Sequence, residues 1–291
     1  MRRSTPGDDI DLERTRGIGW RTSLSAMFVA LLIVASCADD KTPATVTVSQ
    51  STIRGDHTQD ISVWAPDSGT GYPIVYVLHG LANDRNDMAG FATALAREGL
   101  VVFVPDIRTA TTSGAATDVE CGYDLALKRA VEFGGDIDQP VSIVGWSFGA
   151  VTALFSALDP NATGLRSQAE GCSLDAQRPD VIVSIAGCYT TWDGDSEPLD
   201  PGAMGWINTG AQIVLVAGEK DPVCPPEESE AAADTFEAAG FDANVVVIQG
   251  ADHGAMLFYP PGRYGSVENP QGEAGDETVH VVLDAIHASG E

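Results

Sequence analysis

Val141-Ser-Ile-Val-Gly-Trp-Ser-Phe-Gly-Ala150 is the stretch that most constrains the fold. It begins with an apolar run, continues with a Gly-x-Ser-x-Gly pattern centred on Ser147, and passes directly into residues with helical spacing. A serine on a sharp strand-to-helix turn takes strained dihedral angles, and glycine on either side leaves room for close backbone approach. The N-terminus of the following helix favours negative charge that develops beside the serine. The stretch therefore predicts a buried strand, a nucleophilic Ser147 and a helix over 148–158.

Further strands are predicted on both sides of this stretch. Two runs with period-two character come first, at 45–49 and 60–65. Continuous apolar runs, typical of buried parallel strands, lie at 74–78, 100–104, 141–144, 181–185, 213–216 and 245–248. Helical spacing occupies 87–98, 116–133, 148–158, 227–239 and 276–289. This alternation predicts an α/β fold, with a mostly parallel, doubly wound sheet of about eight strands and helices on both faces.

Two polar segments, at 159–178 and 187–210, interrupt the alternation. They are predicted to be loops or small lid elements over the strand ends, where ligands of such sheets bind. Large apolar side chains near strand ends either line an apolar entrance to a site or belong to the core. The candidates are Phe148, Met204, Trp206, Met256, Leu257, Phe258 and Tyr259.

A general base and its orienting acid are predicted to follow the last two strands. Asp221 comes in a tight turn bounded by proline, and a carboxylate there would hold an imidazole in the right tautomer. His253 comes just after the last strand, so the chain order is Ser, Asp, His, as this kind of nucleophile turn requires. Glu219 and Asp193 remain alternative acids. The other histidines outside the strand ends, His57, His280 and His287, are expected to be solvated or packed.

An oxyanion hole requires two backbone N–H groups, one of which would come from Phe148, directly after the nucleophile. The other would come from an earlier strand end, where Leu78-His-Gly-Leu81 follows a buried run. Here residues 45–289 resemble the α/β-hydrolase superfamily, with 79–80 similar to its oxyanion-loop motif and 145–149 similar to its nucleophile elbow. The resemblance implies that Leu81 supplies the second N–H and that His79 is structural.

Within that superfamily the chain looks most like the compact dienelactone-hydrolase branch and the related polyester-hydrolysing cutinases, although Gly149-Ala150 replaces the Gly-Gly pair frequent in the latter. The resemblance implies cleavage of carboxylic esters through an acyl-enzyme. An exported peptidase or an acyltransferase with the same triad is an alternative, and a non-catalytic, lipid-anchored binding protein on the same fold is another. No cofactor is implied, and no metal-ligand motif or Walker-type loop is visible.

The N-terminal 37 residues carry the features of a bacterial lipoprotein signal peptide. A ten-residue apolar run, Ala26 to Ala35, follows three arginines and covers only about half of a hydrocarbon core. Val34-Ala-Ser-Cys37 resembles a lipobox. We therefore expect a signal peptide over 1–37, a lipidated Cys37, a hydrolase domain over 38–291, and an extracytoplasmic protein that is either anchored to the outer face of the cell membrane or secreted. An ordinary signal peptide with a bystander cysteine is the alternative.

The net charge of −26 predicts a surface that repels nucleic-acid phosphates. The expected binding partner is a small-molecule or lipid ester, as the resemblance to the hydrolase superfamily implies. Four cysteines follow Cys37, an even number in a chain bound for an oxidising compartment, so two disulfides are plausible. They are Cys121, Cys172, Cys188 and Cys224. Their pairing is open, although Cys188 and Cys224 each follow a predicted strand and would meet if those strands are neighbours. Four buried free thiols are the alternative.

Overall fold

Eight strands form one sheet in the order β1-β2-β4-β3-β5-β6-β7-β8. They are β1 Val48–Ile53, β2 Ile61–Pro66, β3 Ile74–Leu78, β4 Val101–Pro105, β5 Val141–Trp146, β6 Val181–Ile185, β7 Gln212–Gly218 and β8 Asp242–Ile248. β2 runs antiparallel to both of its neighbours, and all other neighbouring pairs among the described strands are parallel. The carboxyl ends of the parallel strands therefore all lie on the same side of the sheet.

This computed structural model describes residues 46–54, 60–107, 112–159, 177–189, 199–259 and 272–290. These residues belong to one compact unit, Ala44–Glu291. The predicted signal peptide, the lipobox and Cys37 lie outside the described residues, as do Cys172, Asp193 and His57, so the expectations about them stay predictions.

Five α-helices of the described residues cover the two faces of the sheet. They are α1 Ala89–Arg97, α2 Thr112–Arg129, α3 Phe148–Leu158, α4 Pro226–Ala238 and α5 Glu273–Ser289. Side chains of α2, α3 and α4 pack into the core on one face, and those of α1 and α5 pack into the core on the other. Proline at the first position of α4 and two glutamates in its first turn suit a helix N-terminus. None of the helices in the described part of the chain is both long and apolar enough to span a bilayer.

The predicted α/β fold class is confirmed, and the elements differ from the sequence prediction mainly at the edges of the sheet. β1 spans Val48–Ile53 rather than 45–49, because its register is set by antiparallel pairing with β2 while most of its side chains are exposed. β8 begins at Asp242 rather than 245, since the exposed start of an edge strand tolerates polar residues. The helix predicted over 116–133 begins at Thr112 and tightens into a 3-10 helix at Ala130–Phe133.

Of the segment predicted as a lid, 187–210, residues 187–189 follow β6 at the strand ends, whereas residues 206–210 lie away from them. The backbone N–H of Ile207 donates to the carbonyl of Leu158, at the end of α3 remote from Ser147. Trp206 packs against Phe155 of α3 and Phe236 of α4, with ring centroids 4.8 and 5.9 Å away. An apolar anchor between two helices therefore leads this segment along the side of the sheet to the start of β7.

Candidate active site

Ser147 lies on the turn between β5 and α3 with a φ of 56° and a ψ of −118°. A non-glycine residue at positive φ is strained, and such strain persists only where the surroundings enforce it. Its backbone N–H donates to the carbonyl of Ile185 in β6 at 2.8 Å. A Cβ at Gly145 would overlap the carbonyl of Gly149, and a Cβ at Gly149 would lie 2.5 Å from the carbonyl oxygen of Leu78. The two glycines thus permit the turn and the close approach of β3.

Hydrogen bonds join Ser147, His253 and Asp221. The Nδ1 atom of His253 lies 2.7 Å from Oδ2 of Asp221, and its Nε2 atom lies 3.0 Å from Oγ of Ser147. The side chains of His253 and Asp221 are almost completely buried. Asp221 accepts only, so Nδ1–H donates to it and Nε2 is left to accept the hydroxyl proton of Ser147. The structure therefore brings together the three predicted residues in the arrangement that a serine nucleophile needs, and their catalytic roles stay predictions.

Asp221 is held by the loop that follows β7. Its Oδ1 atom accepts the backbone N–H groups of Val223 at 2.8 Å and Cys224 at 3.0 Å, which leaves Oδ2 for the imidazole. Glu219, the alternative acid, instead accepts the backbone N–H of Gly250. Glu219 therefore joins the loop after β7 to the loop after β8, and it is Asp221 that bonds to Nδ1 of His253.

His253 lies in the loop after β8, beside a second buried carboxylate. Oδ1 of Asp252 accepts the backbone N–H groups of Gly254 at 3.1 Å and Ala255 at 2.9 Å, at the start of the 3-10 helix Ala255–Leu257. Asp252 therefore shapes the loop and does not orient the imidazole, as predicted. His280 and His287 are exposed on α5.

His79 fixes the peptide group that carries the Leu81 N–H. Its Nδ1 lies 2.9 Å from the carbonyl oxygen of Gly80, and its Nε2 accepts the backbone N–H of Ile107 at 2.8 Å. Because a trans peptide is planar, the N–H of Leu81 points away from the carbonyl that His79 holds. A Cβ at Gly80 would lie 3.3 Å from Cβ of Ser147, so this peptide is next to the nucleophile.

Both ring nitrogens of His79 are therefore used in holding the loop, which agrees with the structural role expected for it. Burial lowers the pKa of His79 below its ordinary value, so the ring stays neutral and Nε2 remains an acceptor. The N–H of Phe148 lies at the N-terminus of α3, where the helix dipole favours an anion. The assignment of Leu81 and Phe148 to an oxyanion hole remains a prediction that this placement supports.

Most of the apolar residues considered for an entrance belong to the core. Trp206, Met256, Leu257 and Tyr259 are buried there, and Phe148 is 5% exposed. Met204 is exposed, but it lies on the turn beside Trp206 and not at the strand ends.

The loops that carry the Leu81 N–H and Asp221 expose two other apolar side chains. Leu81 is 58% exposed and Val223 is 51% exposed. Val223 was not predicted from the sequence, although an apolar residue within a proline-bounded polar turn was a usable signal.

A disulfide bond joins Cys188, after β6, to Cys224, after β7. Cys121 is also disulfide-bonded. The free-thiol alternative is therefore wrong for these three cysteines. Ligand atoms of Asp221, Cys224 and His253 lie within 4.8 Å of one another, but a disulfide sulfur cannot act as a thiolate metal ligand.

A polar cavity of about 410 Å³ lies on the other side of the sheet, where the parallel strands begin. Its lining includes Asp180, Gln212 and Asp242, at or just before the first residues of β6, β7 and β8. Ligands of such sheets bind at the carboxyl ends of the strands, so this cavity is not assigned to the triad.

Comparisons with known proteins agree with this architecture. The Abhydrolase_4 family model, described as TAP-like protein, matches residues 180–260. The chain resembles esterase B from Lactobacillus rhamnosis, with a TM-score of 0.65, 16% identity, and 84% of this chain and 86% of that chain covered. It also resembles an esterase from Pyrobaculum calidifontis, with a TM-score of 0.59, 18% identity, and coverage of 84% and 86%.

A third similar structure is a proposed dienelactone hydrolase from Klebsiella pneumoniae, with a TM-score of 0.59, 17% identity, and coverage of 83% of this chain and 98% of that one. The search of curated proteins found no match. At these identities the likeness concerns the fold, and the chain has the α/β-hydrolase fold that the sequence predicted.

Proposed function

On the premise of an α/β-hydrolase fold, we propose that the protein is a serine hydrolase that cleaves carboxylic ester bonds through an acyl-enzyme. The observation that carries the proposal is the chain of hydrogen bonds from Asp221 through His253 to Ser147, at 2.7 and 3.0 Å. Structures of similar fold include two esterases, which favours the ester over the amide bond.

In the first half of the reaction, Oγ of Ser147 attacks the ester carbonyl carbon while its proton passes to Nε2 of His253. Asp221 stabilises the imidazolium that forms. The carbonyl electrons move onto oxygen, where the N–H groups of Leu81 and Phe148 would receive the negative charge. When the carbonyl re-forms, the alcohol leaves and takes the proton from Nε2, so Ser147 is left acylated.

In the second half, water takes the place of the alcohol. Nε2 of His253 accepts a proton from the water as its oxygen attacks the acyl carbon. The ester bond to Oγ then breaks, Ser147 recovers its proton from His253, and a carboxylic acid is released. The exposed Leu81 and Val223 side chains on the flanking loops suit a substrate with apolar parts, such as a small-molecule or lipid ester.

The direct test is hydrolysis of p-nitrophenyl esters of graded chain length by the purified protein, together with labelling of Ser147 by a fluorophosphonate. Ser147→Ala is expected to lower kcat by about a thousandfold or more while the protein stays folded. Ser156→Ala is the matched control, because it removes a buried hydroxyl from α3, the helix that follows Ser147, and leaves Ser147, His253 and Asp221 unchanged. A folded protein with neither ester hydrolysis nor labelling refutes the proposal, and p-nitroanilide cleavage without ester cleavage would favour a peptidase.

We further propose that the protein is exported and acts outside the cytoplasm, attached to the membrane by a lipid on Cys37 or secreted. The apolar run before Cys37, the lipobox-like residues and the disulfide of Cys188 with Cys224 support an oxidising, extracytoplasmic location. Incorporation of labelled palmitate into the full chain, lost in Cys37→Ala, is the expected result. Export without label in either chain would indicate an ordinary signal peptide.

A further inference from the structure

The side chain of Trp146 connects the strand of the nucleophile to the loop of the base. Trp146 is the last residue of β5 and is 1% exposed. Its indole Nε1–H donates to the backbone carbonyl of His253 at 2.8 Å, and the centroid of its ring system lies 5.1 Å from that of the imidazole. These contacts join residues 107 positions apart in the sequence.

The same indole also touches the loop that carries the Leu81 N–H. A Cβ at Gly80 would lie only 2.6 Å from Cζ3 of Trp146, so the indole fills the space beside that glycine. On another side, the ring of Tyr259 lies 5.3 Å away between centroids. The indole is therefore confined by the oxyanion loop and by the segment that follows His253, and it has little freedom to move.

We infer that Trp146 is a positioning residue for the base, an inference that rests on the proposed function. Asp221 orients the imidazole ring through Nδ1, whereas Trp146 holds the main chain from which that ring projects. Because Trp146 immediately precedes Ser147, the contact sets the nucleophile and the base against one rigid strand end. The distance from Nε2 to Oγ is then fixed by packing and not only by the hydrogen bond between them.

The inference requires the indole N–H and not merely an aromatic ring. Phenylalanine would fill most of the space but has no donor, so the buried carbonyl of His253 would lose its partner. Trp206 offers a matched control on the other face of the sheet, where it packs against Phe155 and Phe236. Its Nε1–H is buried and has no hydrogen-bond partner among the described residues, so replacement by phenylalanine removes an indole but breaks no such bond there.

The experiment compares Trp146→Phe and Trp206→Phe with the wild-type protein. In Trp146→Phe we expect kcat for p-nitrophenyl butyrate to fall about tenfold while KM stays within about twofold, because the base acts in the transition state. We also expect the downfield proton NMR signal of the His253 Nδ1–H to shift or broaden. Trp206→Phe is expected to change neither quantity.

A second variant covers the case in which Trp146→Phe fails to fold. Incorporation of 3-benzothienylalanine at position 146 keeps the shape of the indole and replaces its N–H by sulfur, and the same losses are expected. Unchanged kcat and an unchanged signal in these variants overturn the inference, and an equal loss in Trp206→Phe reduces it to general core packing. Wild-type protein without ester hydrolysis or fluorophosphonate labelling overturns the proposed function instead, and the NMR signal then decides the role of Trp146 by itself.

Discussion

Removal of the disulfide bond between Cys188 and Cys224 is expected to lower the free energy of unfolding by about 4 kcal/mol. The bond joins residues 36 positions apart. In the chain-entropy model, a cross-link that closes a loop of this length removes conformational freedom worth about 4 kcal/mol from the unfolded chain at 25 °C. The stabilisation thus arises in the unfolded state, and its size follows from the loop length.

The assay is equilibrium urea unfolding of Cys188→Ala/Cys224→Ala, followed by tryptophan fluorescence. Without the cross-link the unfolded chain is more expanded and exposes more surface, so the m value is expected to rise while the free energy of unfolding falls. The single variant Cys188→Ala also loses the cross-link but keeps the buried Cys224 side chain. The difference between the two variants therefore isolates the packing of Cys224.

A loss below about 1 kcal/mol with an unchanged m value would refute this reasoning, because a freed loop of that length must expand the unfolded state.

The same variants test the loop that carries Asp221. The backbone N–H of Cys224 donates to Oδ1 of Asp221, so a loosened loop is expected to lower kcat and leave KM unchanged. An unchanged kcat would show that the remaining contacts of Asp221 hold the loop in place.

Three further changes test the site and its support. Asp221→Asn is expected to lower kcat by about a thousandfold or more, because the amide favours the wrong tautomer of His253; steady-state kinetics with a folded variant checks this, and a loss below about tenfold would contradict it. The folded protein holds His79 neutral with a lowered pKa, so protons bind preferentially to the unfolded chain below the ordinary pKa of 6.5. The free energy of unfolding should therefore fall as the pH is lowered from 6.5, by at most about 1.4 kcal/mol per pH unit from this group, and it should fall less steeply in His79→Asn. Urea midpoints that show the same pH dependence in the wild-type protein and in His79→Asn would count against this prediction. Gly149→Ala would place a Cβ 2.5 Å from the carbonyl oxygen of Leu78. It is expected to cost about 1–3 kcal/mol in urea unfolding and to lower kcat, whereas wild-type values for both would show that the backbone adapts freely.

The sequence was sufficient for the parts of the fold that depend on local pattern. The apolar runs of β3, β5 and β6 coincide closely with the strands, because a strand buried on both faces is apolar at most of its positions and has no regularly exposed polar face. The limits of the edge strands β1 and β8 were predicted less accurately, since partial exposure allows polar side chains within these strands.

The proximity of Ser147, Asp221 and His253 was predictable because the order of chain segments in this fold limits which loops can bring such groups together. Ser147 directly follows β5, Asp221 and His253 lie in the loops after β7 and β8, and the parallel strands end on the same side of the sheet. The side chains around them were not predictable in the same way. Whether Trp206 or Tyr259 faces a pocket or the core depends on which other segments pack beside it. The sequence pattern does not show how closely those segments approach.

The role of Trp146 shows the same limit. In the sequence it is the first of the two variable positions of the Gly-x-Ser-x-Gly pattern, and its role depends on a hydrogen bond to a carbonyl that lies far along the chain. The disulfide between Cys188 and Cys224 was only partly predictable, because the adjacency of strands β6 and β7 allowed this pairing but did not require it.

The large sequence separation between Ser147 and His253 makes the reactivity of Ser147 a marker of the last stage of folding. The two residues are 106 positions apart, and His253 reaches Ser147 only once β8 has joined the sheet. Contacts of such high sequence separation form late, after helices and local turns. In a refolding experiment, the moment at which Ser147 becomes reactive towards a fluorophosphonate would therefore mark the docking of the final strand, whereas circular dichroism would follow the earlier growth of helices.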